Sequence, residues 1–184
     1  MCYKFLMWGF IFLVDIQIGG FDILPDIIGY YFIIQALHML KNNNKYFIKA
    51  RNFTLLIILV YIICIANFIY NGDYLRLNEG YYVFNLADKI TLVLMFVFLK
   101  NLYKGISLQC SVVGNNETES LIVKTQKAIE LLWLIVMFCG IFSVFTKWYR
   151  ILSFTVYLVT AILMYRCEKN LQQTKKLADN EQWN

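Results

Sequence analysis

The sequence predicts an all-α integral membrane protein, a bundle of about six transmembrane helices. The 184-residue chain is 60% hydrophobic and 16% charged, whereas soluble domains are about 45–50% apolar and about 25% charged. Its apolar residues gather in runs close to the ~20 residues that cross a bilayer, and its basic residues stand at the ends of those runs. The chain therefore has the lipid bilayer as its main surroundings and no room for a soluble catalytic domain.

The predicted spans use most of the chain. They are residues 5–20, 23–40, 53–70, 81–99, 128–145 and 151–165. Together they define a transmembrane domain over 1–167, and a polar cytoplasmic tail over 168–184 is expected to continue as a helix into water. The longest polar connection, 100–127, is too short to bury a core of its own.

The first two spans are joined by a turn built from two carboxylates and the chain's single proline. Pro25 suits the first helical turn of the second span, because the N–H that it lacks has no partner there. Asp22, just before it, is placed to cap the free N–H groups and to complement the positive helix end, and Asp26 has the same structural interpretation. We interpret these three residues as a structural turn.

Basic residues predict the topology. With the N terminus in the cytoplasm, the inside segments hold thirteen of the seventeen, namely Lys4, Lys41, Lys45, Lys49, Arg51, Lys100, Lys104, Lys124, Lys127, Arg166, Lys169, Lys175 and Lys176. The outside loops hold Arg76, Lys147 and Arg150, and Lys89 is left within span four. This asymmetry predicts a multi-pass plasma-membrane protein with both termini cytoplasmic. It also explains the net charge of +5 without nucleic acid as a partner.

Three charged residues inside the spans form a candidate polar cluster. Asp15 in span one and the pair Asp88 and Lys89 in span four have similar depths below the outer end of their spans. Charges in an apolar span need partners and often mark ion or proton pathways. Two interpretations stay open: a proton, cation or small-solute site, or an ion pair that sets helix register.

Two polar stripes at helical spacing are candidates for lining a cavity. They are Tyr31, Gln35 and His38 on span two and Ser153, Tyr157 and Thr160 on span six. Each set falls on one helical face. The alternative is that they form hydrogen bonds between helices. On span two, Gly29 and Ala36 lie roughly opposite and offer a small surface for close helix contact.

Signatures of metal, cofactor or enzyme chemistry are absent from the sequence. The five cysteines are scattered without a Cys-x-x-Cys pair, and His38 is the single histidine, so we predict no metal and no cofactor. There is no Gly-x-Ser-x-Gly, His-Glu-x-x-His or Walker-type loop. Asp22-x-x-x-Asp26 resembles half of the metal motif of the phosphatidyltransferases that use cytidine diphosphate lipids, but the motif's other elements are missing. We assign no catalytic residue and do not expect an enzyme.

The first quarter of the chain resembles one group of proteins. Asp22-Ile-Leu-Pro-Asp-Ile-Ile-Gly-Tyr30, an apolar span and the basic segment Lys45-Tyr-Phe-Ile-Lys-Ala-Arg51 are similar to small uncharacterised polytopic membrane proteins of low-GC Gram-positive bacteria. The resemblance implies a bacterial plasma membrane and carries no function with it.

Three function classes follow. The favoured one is a non-catalytic membrane subunit that works with a protein partner, or as a homo-oligomer, through its 100–127 connection and its 166–184 tail. The alternative is a small-solute or ion binding or transport unit, similar in size to the substrate-binding components of energy-coupling factor transporters. A membrane-embedded enzyme acting on lipid is the least favoured.

Overall fold

The computed structural model of the chain describes residues 2–14, 17–18, 21–22, 26–71, 79–114, 116–142 and 146–181, in places by backbone alone. The fold is all-α, as predicted, with six helices and one minimal strand pair in these ranges. The helices are α1 (Cys2–Phe12), α2 (Asp26–Leu40), α3 (Lys45–Asn71), α4 (Glu79–Val112), α5 (Asn116–Phe142) and α6 (Thr146–Glu181). The strands β1 (Gln17–Ile18) and β2 (Phe21–Asp22) pair antiparallel between α1 and α2.

The helices form a closed bundle. Each packs against the next in sequence, and α6 returns to pack against α1. Aromatic side chains from four helices meet in its core: the Phe10 ring centroid lies 6.1 Å from that of Phe98 and 6.4 Å from that of Tyr157. Trp133 completes the group at 5.9 Å from Tyr157, and its indole N–H donates to the Leu92 carbonyl.

Large apolar side chains also cover the outside of the bundle. Every helix exposes some, among them Trp8, Ile27, Leu59, Leu86, Phe138 and Ile162. Extensive exposed apolar surface on a protein marks sites of contact with a membrane or another protein. Among the residues that the structure describes, three segments are long and apolar enough to cross a membrane: Lys45–Ile63, Lys89–Val112 and Ile151–Asn170. These features support a membrane location.

The first two helices are shorter than the spans predicted for them. At 1.5 Å per residue, the 11 residues of α1 and the 15 of α2 extend about 16 Å and about 22 Å, below the ~30 Å hydrocarbon core of a bilayer. Between them, Gln17 pairs with Asp22 and Ile18 with Phe21. The apolar pattern of 5–20 and 23–40 did not indicate that a strand pair separates the two helices, although Gly-Gly between two short apolar segments is a known hairpin signal.

The polar connection predicted over 100–127 is helical instead. Helix α4 continues to Val112, the chain turns at Gly114 with a φ of 74°, and α5 begins at Asn116. Hydropathy indicates where a helix leaves the apolar layer of the membrane. Helices α4 and α5 extend beyond that point because buried residues such as Leu102 and Ile122 still pack against neighbouring helices. Helix α3 likewise begins at Lys45, before the predicted start at 53. The predicted helical continuation of the tail is confirmed through Glu181.

Candidate functional site

The predicted polar cluster falls largely outside the described residues. Asp15 is outside them, and Asp88 is described by its backbone in α4 without its side chain. Lys89, the third member, is half-buried on α4. Whether these three residues meet therefore stays a prediction.

The polar stripe of α2 faces outward. Tyr31 is 59% exposed, His38 is exposed with Nε2 lying 3.5 Å from the Lys41 ammonium, and Gln35 is half-buried. The opposite face holds Ile33 and Ala36, both fully buried. This stripe therefore lies on the surface of the bundle, while the small-residue face of α2 packs inward as predicted.

The polar stripe of α6 faces the core. Thr160 is buried, its hydroxyl lies 2.9 Å from the Tyr103 hydroxyl, and it donates to the Val156 carbonyl at 2.7 Å. Tyr157 packs in the aromatic core described above, and Ser153 is half-buried. Thr160 and Tyr157 thus join α6 to α4, α5 and α1, which agrees with the alternative of contacts between helices.

The predicted structural turn is described only in part. Asp26 is the first residue of α2, and its Oδ2 accepts a hydrogen bond of 3.4 Å from the Tyr61 hydroxyl of α3. A carboxylate in the first turn complements the positive end of the helix dipole. Asp22 belongs to β2 by its backbone, and Pro25 lies outside the described residues.

A buried polar cluster that the sequence reasoning missed joins α1, α4 and α6. Glu168 is 4% exposed, and its Oε2 accepts the Tyr3 backbone N–H at 3.1 Å. Its Oε1 accepts from Gln172 Nε2 at 2.8 Å, and the Tyr3 hydroxyl donates to Gln109 Oε1 at 2.7 Å. The Glu168 carboxylate thereby satisfies a free N–H at the start of α1 and complements the dipole of that helix.

Helical phase could have identified Glu168. It lies four and eight residues after Met164 and Thr160, so the three share one face of α6, and all three are buried. The sequence prediction instead placed residue 168 in a water-exposed tail, because hydropathy falls after Tyr165. The position of Glu168 beyond the last apolar run therefore did not predict that its side chain is buried inside the bundle.

Cysteines also gather near this cluster without forming a metal site. Cys110 and Cys167 are buried, Cys2 is half-buried, and all three thiols are free. Among the described residues, no group of three or more His, Cys, Asp or Glu side chains is arranged to hold a metal ion. Also within those residues, Arg51 Nε is the buried side-chain nitrogen or oxygen that lacks a hydrogen-bond partner.

Comparison with known proteins finds no match to a family model, a curated protein or a solved structure. The charge pattern and the contacts between helices are therefore the basis for a functional assignment.

Proposed function

We propose that this chain is a six-span plasma-membrane protein with both termini in the cytoplasm, acting as a non-catalytic subunit that binds a protein partner at its cytoplasmic end. The basic residues at one end of the spans support this orientation. The absence of enzyme motifs from the sequence favours a binding role over catalysis. The α4–α5 turn and the end of α6 form the proposed binding region.

The length of α6 carries the proposal. Asn170 Nδ2 donates to Thr118 Oγ1 of α5 at 2.9 Å, which places Asn170 beside the start of α5. Helix α6 continues from there to Glu181, and residues 171–181 extend it by about 16 Å. This segment and the residues after it include Lys175, Lys176 and Trp183. Tryptophan is enriched at protein interfaces, and the two lysines would attract a partner surface of negative charge.

Truncation before Thr174 tests the proposal. This end point keeps Glu168, which accepts the Tyr3 backbone N–H and so holds α6 to α1, and it keeps Gln172, which donates to Glu168. We expect the truncated protein to insert normally and to lose co-purification of its partner. The measurement is native mass spectrometry of tagged protein, gently extracted from its own host membrane, compared with the full-length chain.

A matched control replaces residues 174–184 by the same residues in scrambled order, so that length and charge are unchanged. A specific partner should be lost from this variant as well. If the truncated protein keeps its partner at full stoichiometry, the tail is not the binding element. If the full-length chain carries only further copies of itself, a separate partner protein is contradicted.

A further inference from the structure

A small cavity lies where the start of α3, the last turns of α4 and the first turns of α5 meet. Its volume is about 290 Å³, and it is lined by Tyr46, Lys104, Ser107, Leu108, Ser111, Glu119 and Gln126. Pockets for drug-sized ligands occupy about 300–1,000 Å³, so this cavity suits a small polar group. It lies at the end of the bundle that the basic residues assign to the cytoplasm.

The cavity presents both signs of charge without pairing them. Lys104 and Glu119 both line it, yet within the described part of the chain neither side chain has a hydrogen-bond or ion-pair partner. The Lys104 ammonium lies 5.8 Å from the centroid of the Tyr46 ring, and Lys45 approaches the same ring at 5.7 Å. An anion alone would be repelled by Glu119 and a cation alone by Lys104, so a ligand carrying both charges fits best.

The uncharged polar side chains that line the cavity supply both a donor for an anion and acceptors for an ammonium group. Lys104, Ser107 and Ser111 fall at i, i+3 and i+7 on one face of α4. Ser107 can donate to an anion beside the Lys104 ammonium. The Ser111 hydroxyl donates to the Leu108 carbonyl and Gln126 Nε2 donates to Glu130. Their oxygens therefore remain as acceptors that, with Glu119, suit an ammonium group.

Leu108 connects the cavity to the apolar surface. It lines the cavity and is also 44% exposed on the outside of α4, so a headgroup held inside could leave its acyl chains on the membrane-facing surface. From these contacts we propose that the cavity binds the phosphoethanolamine headgroup of a membrane lipid. The phosphate lies beside Lys104 and Ser107, and the primary ammonium beside Glu119 and Gln126.

The test uses the full-length protein in nanodiscs of equal parts phosphatidylethanolamine and phosphatidylglycerol, followed by gentle release and native mass spectrometry. The wild type should retain one phosphatidylethanolamine per chain. Since a hydrogen bond to a charged group contributes about 1.5–3 kcal/mol, Lys104→Met should reduce retention of both lipids about tenfold or more. Glu119→Gln should reduce retention of phosphatidylethanolamine alone.

Lys100→Met is the matched control, because Lys100 is exposed on α4 one turn before Lys104 and does not line the cavity. It should retain phosphatidylethanolamine as the wild type does. Circular dichroism and size-exclusion profiles of the variants should match the wild type, which separates loss of binding from loss of folding.

Two outcomes overturn the proposal: preferential retention of phosphatidylglycerol by the wild type, or equal retention of phosphatidylethanolamine by all variants. A further arm adds millimolar O-phosphoethanolamine to delipidated protein. If that soluble compound binds with the same dependence on Lys104 and Glu119 while the lipid is not retained, the lipid source is overturned and the headgroup chemistry is supported.

Discussion

At the scale of single residues, Asn44 joins two helices through one side chain. Its Oδ1 accepts the backbone N–H groups of Tyr46 at 3.1 Å and Phe47 at 3.3 Å, which caps the start of α3. Its Nδ2 donates to the Gly105 carbonyl of α4 at 2.9 Å. The ring of Phe47 packs against the same glycine. Asn44 thus determines both where α3 begins and where it meets α4.

Asn44→Ala should lower the free energy of unfolding by about 1–2 kcal/mol, since it removes a helix cap and an interhelical hydrogen bond. Asn44→Asp should keep the cap but replace the bond to Gly105 by repulsion between a carboxylate oxygen and the carbonyl oxygen. The measurement is thermal unfolding of purified protein in detergent. Asn42→Ala is the control, because Asn42 is exposed in the same turn. An equal loss in that control would show that the cap does not account for the effect.

The site residues show what sequence can predict at this scale. The spacing of Ser153, Tyr157 and Thr160 correctly placed them on one face of α6, since helical period is a local property. It did not predict that Thr160 bonds to Tyr103, because that contact depends on how α4 and α6 are rotated against each other. Glu168 was missed for a related reason: its partner Tyr3 is 165 residues away in sequence.

At the scale of elements, α1 and α2 cross at two glycines. A Cβ built on Gly29 would lie 2.8 Å from the Gly9 carbonyl oxygen and 3.1 Å from Leu13 Cδ2. A Cβ on Gly9 would lie 2.9 Å from the Gly29 carbonyl oxygen and 2.5 Å from Ile33 Cγ1. Since backbone atoms are among these neighbours, a larger residue would have to separate the helices. Close approach of this kind is typical of small-residue contacts in membranes.

Gly29→Val should therefore destabilise the bundle by about 1–3 kcal/mol, the usual cost of overpacking a tight contact. The measurement is the fraction of protein that stays folded in a detergent denaturation series. Ile28→Val is a matched control, because Ile28 is the neighbouring residue on α2 and is 38% exposed. A similar loss in both variants would show that the glycine contact does not account for the effect.

The helix ends show a limit of hydropathy. The apolar runs correctly indicated the six helices found in the described residues, because an apolar segment placed in lipid must satisfy its backbone hydrogen bonds internally. They did not indicate that α4 extends as far as Val112 or that α5 already begins at Asn116. Amphipathic helical turns beyond the apolar layer have low mean hydropathy, so the apolar runs end before the helices do. Burial of Ile106 and Cys110 shows that packing continues there.

At the scale of the whole molecule, ring closure brings the first helix against the last. Because α6 packs against α1, the carboxylate of Glu168 can cap a helix that begins at the other end of the chain. Helix α4 contacts α1 through the Phe98 ring, α5 through the Leu92 backbone carbonyl and α6 through the Tyr103 hydroxyl. Helix α4 is therefore central to the arrangement of the others.

The proposed orientation makes a prediction for intact cells. A membrane-impermeant maleimide should label Asn78→Cys from outside, and should label Val113→Cys only after permeabilisation, because basic segments stay in the cytoplasm. Val113 is exposed in the α4–α5 turn. The unaltered chain gives the background from its own five cysteines. Labelling of Val113→Cys in intact cells would contradict the proposed topology and indicate the opposite orientation.

The sequence by itself determined the helical class, the apolar character of the runs and the distribution of charge between their two ends. These depend on composition and on local periodicity, which need no knowledge of neighbours. Only the tertiary structure decided which polar groups come together: Glu168 contacts the start of α1, Thr160 contacts Tyr103, and Lys104 and Glu119 line the same cavity. These contacts depend on how the helices are rotated and on the packing of α6 against α1. Both are set by interactions between residues that are far apart in the chain.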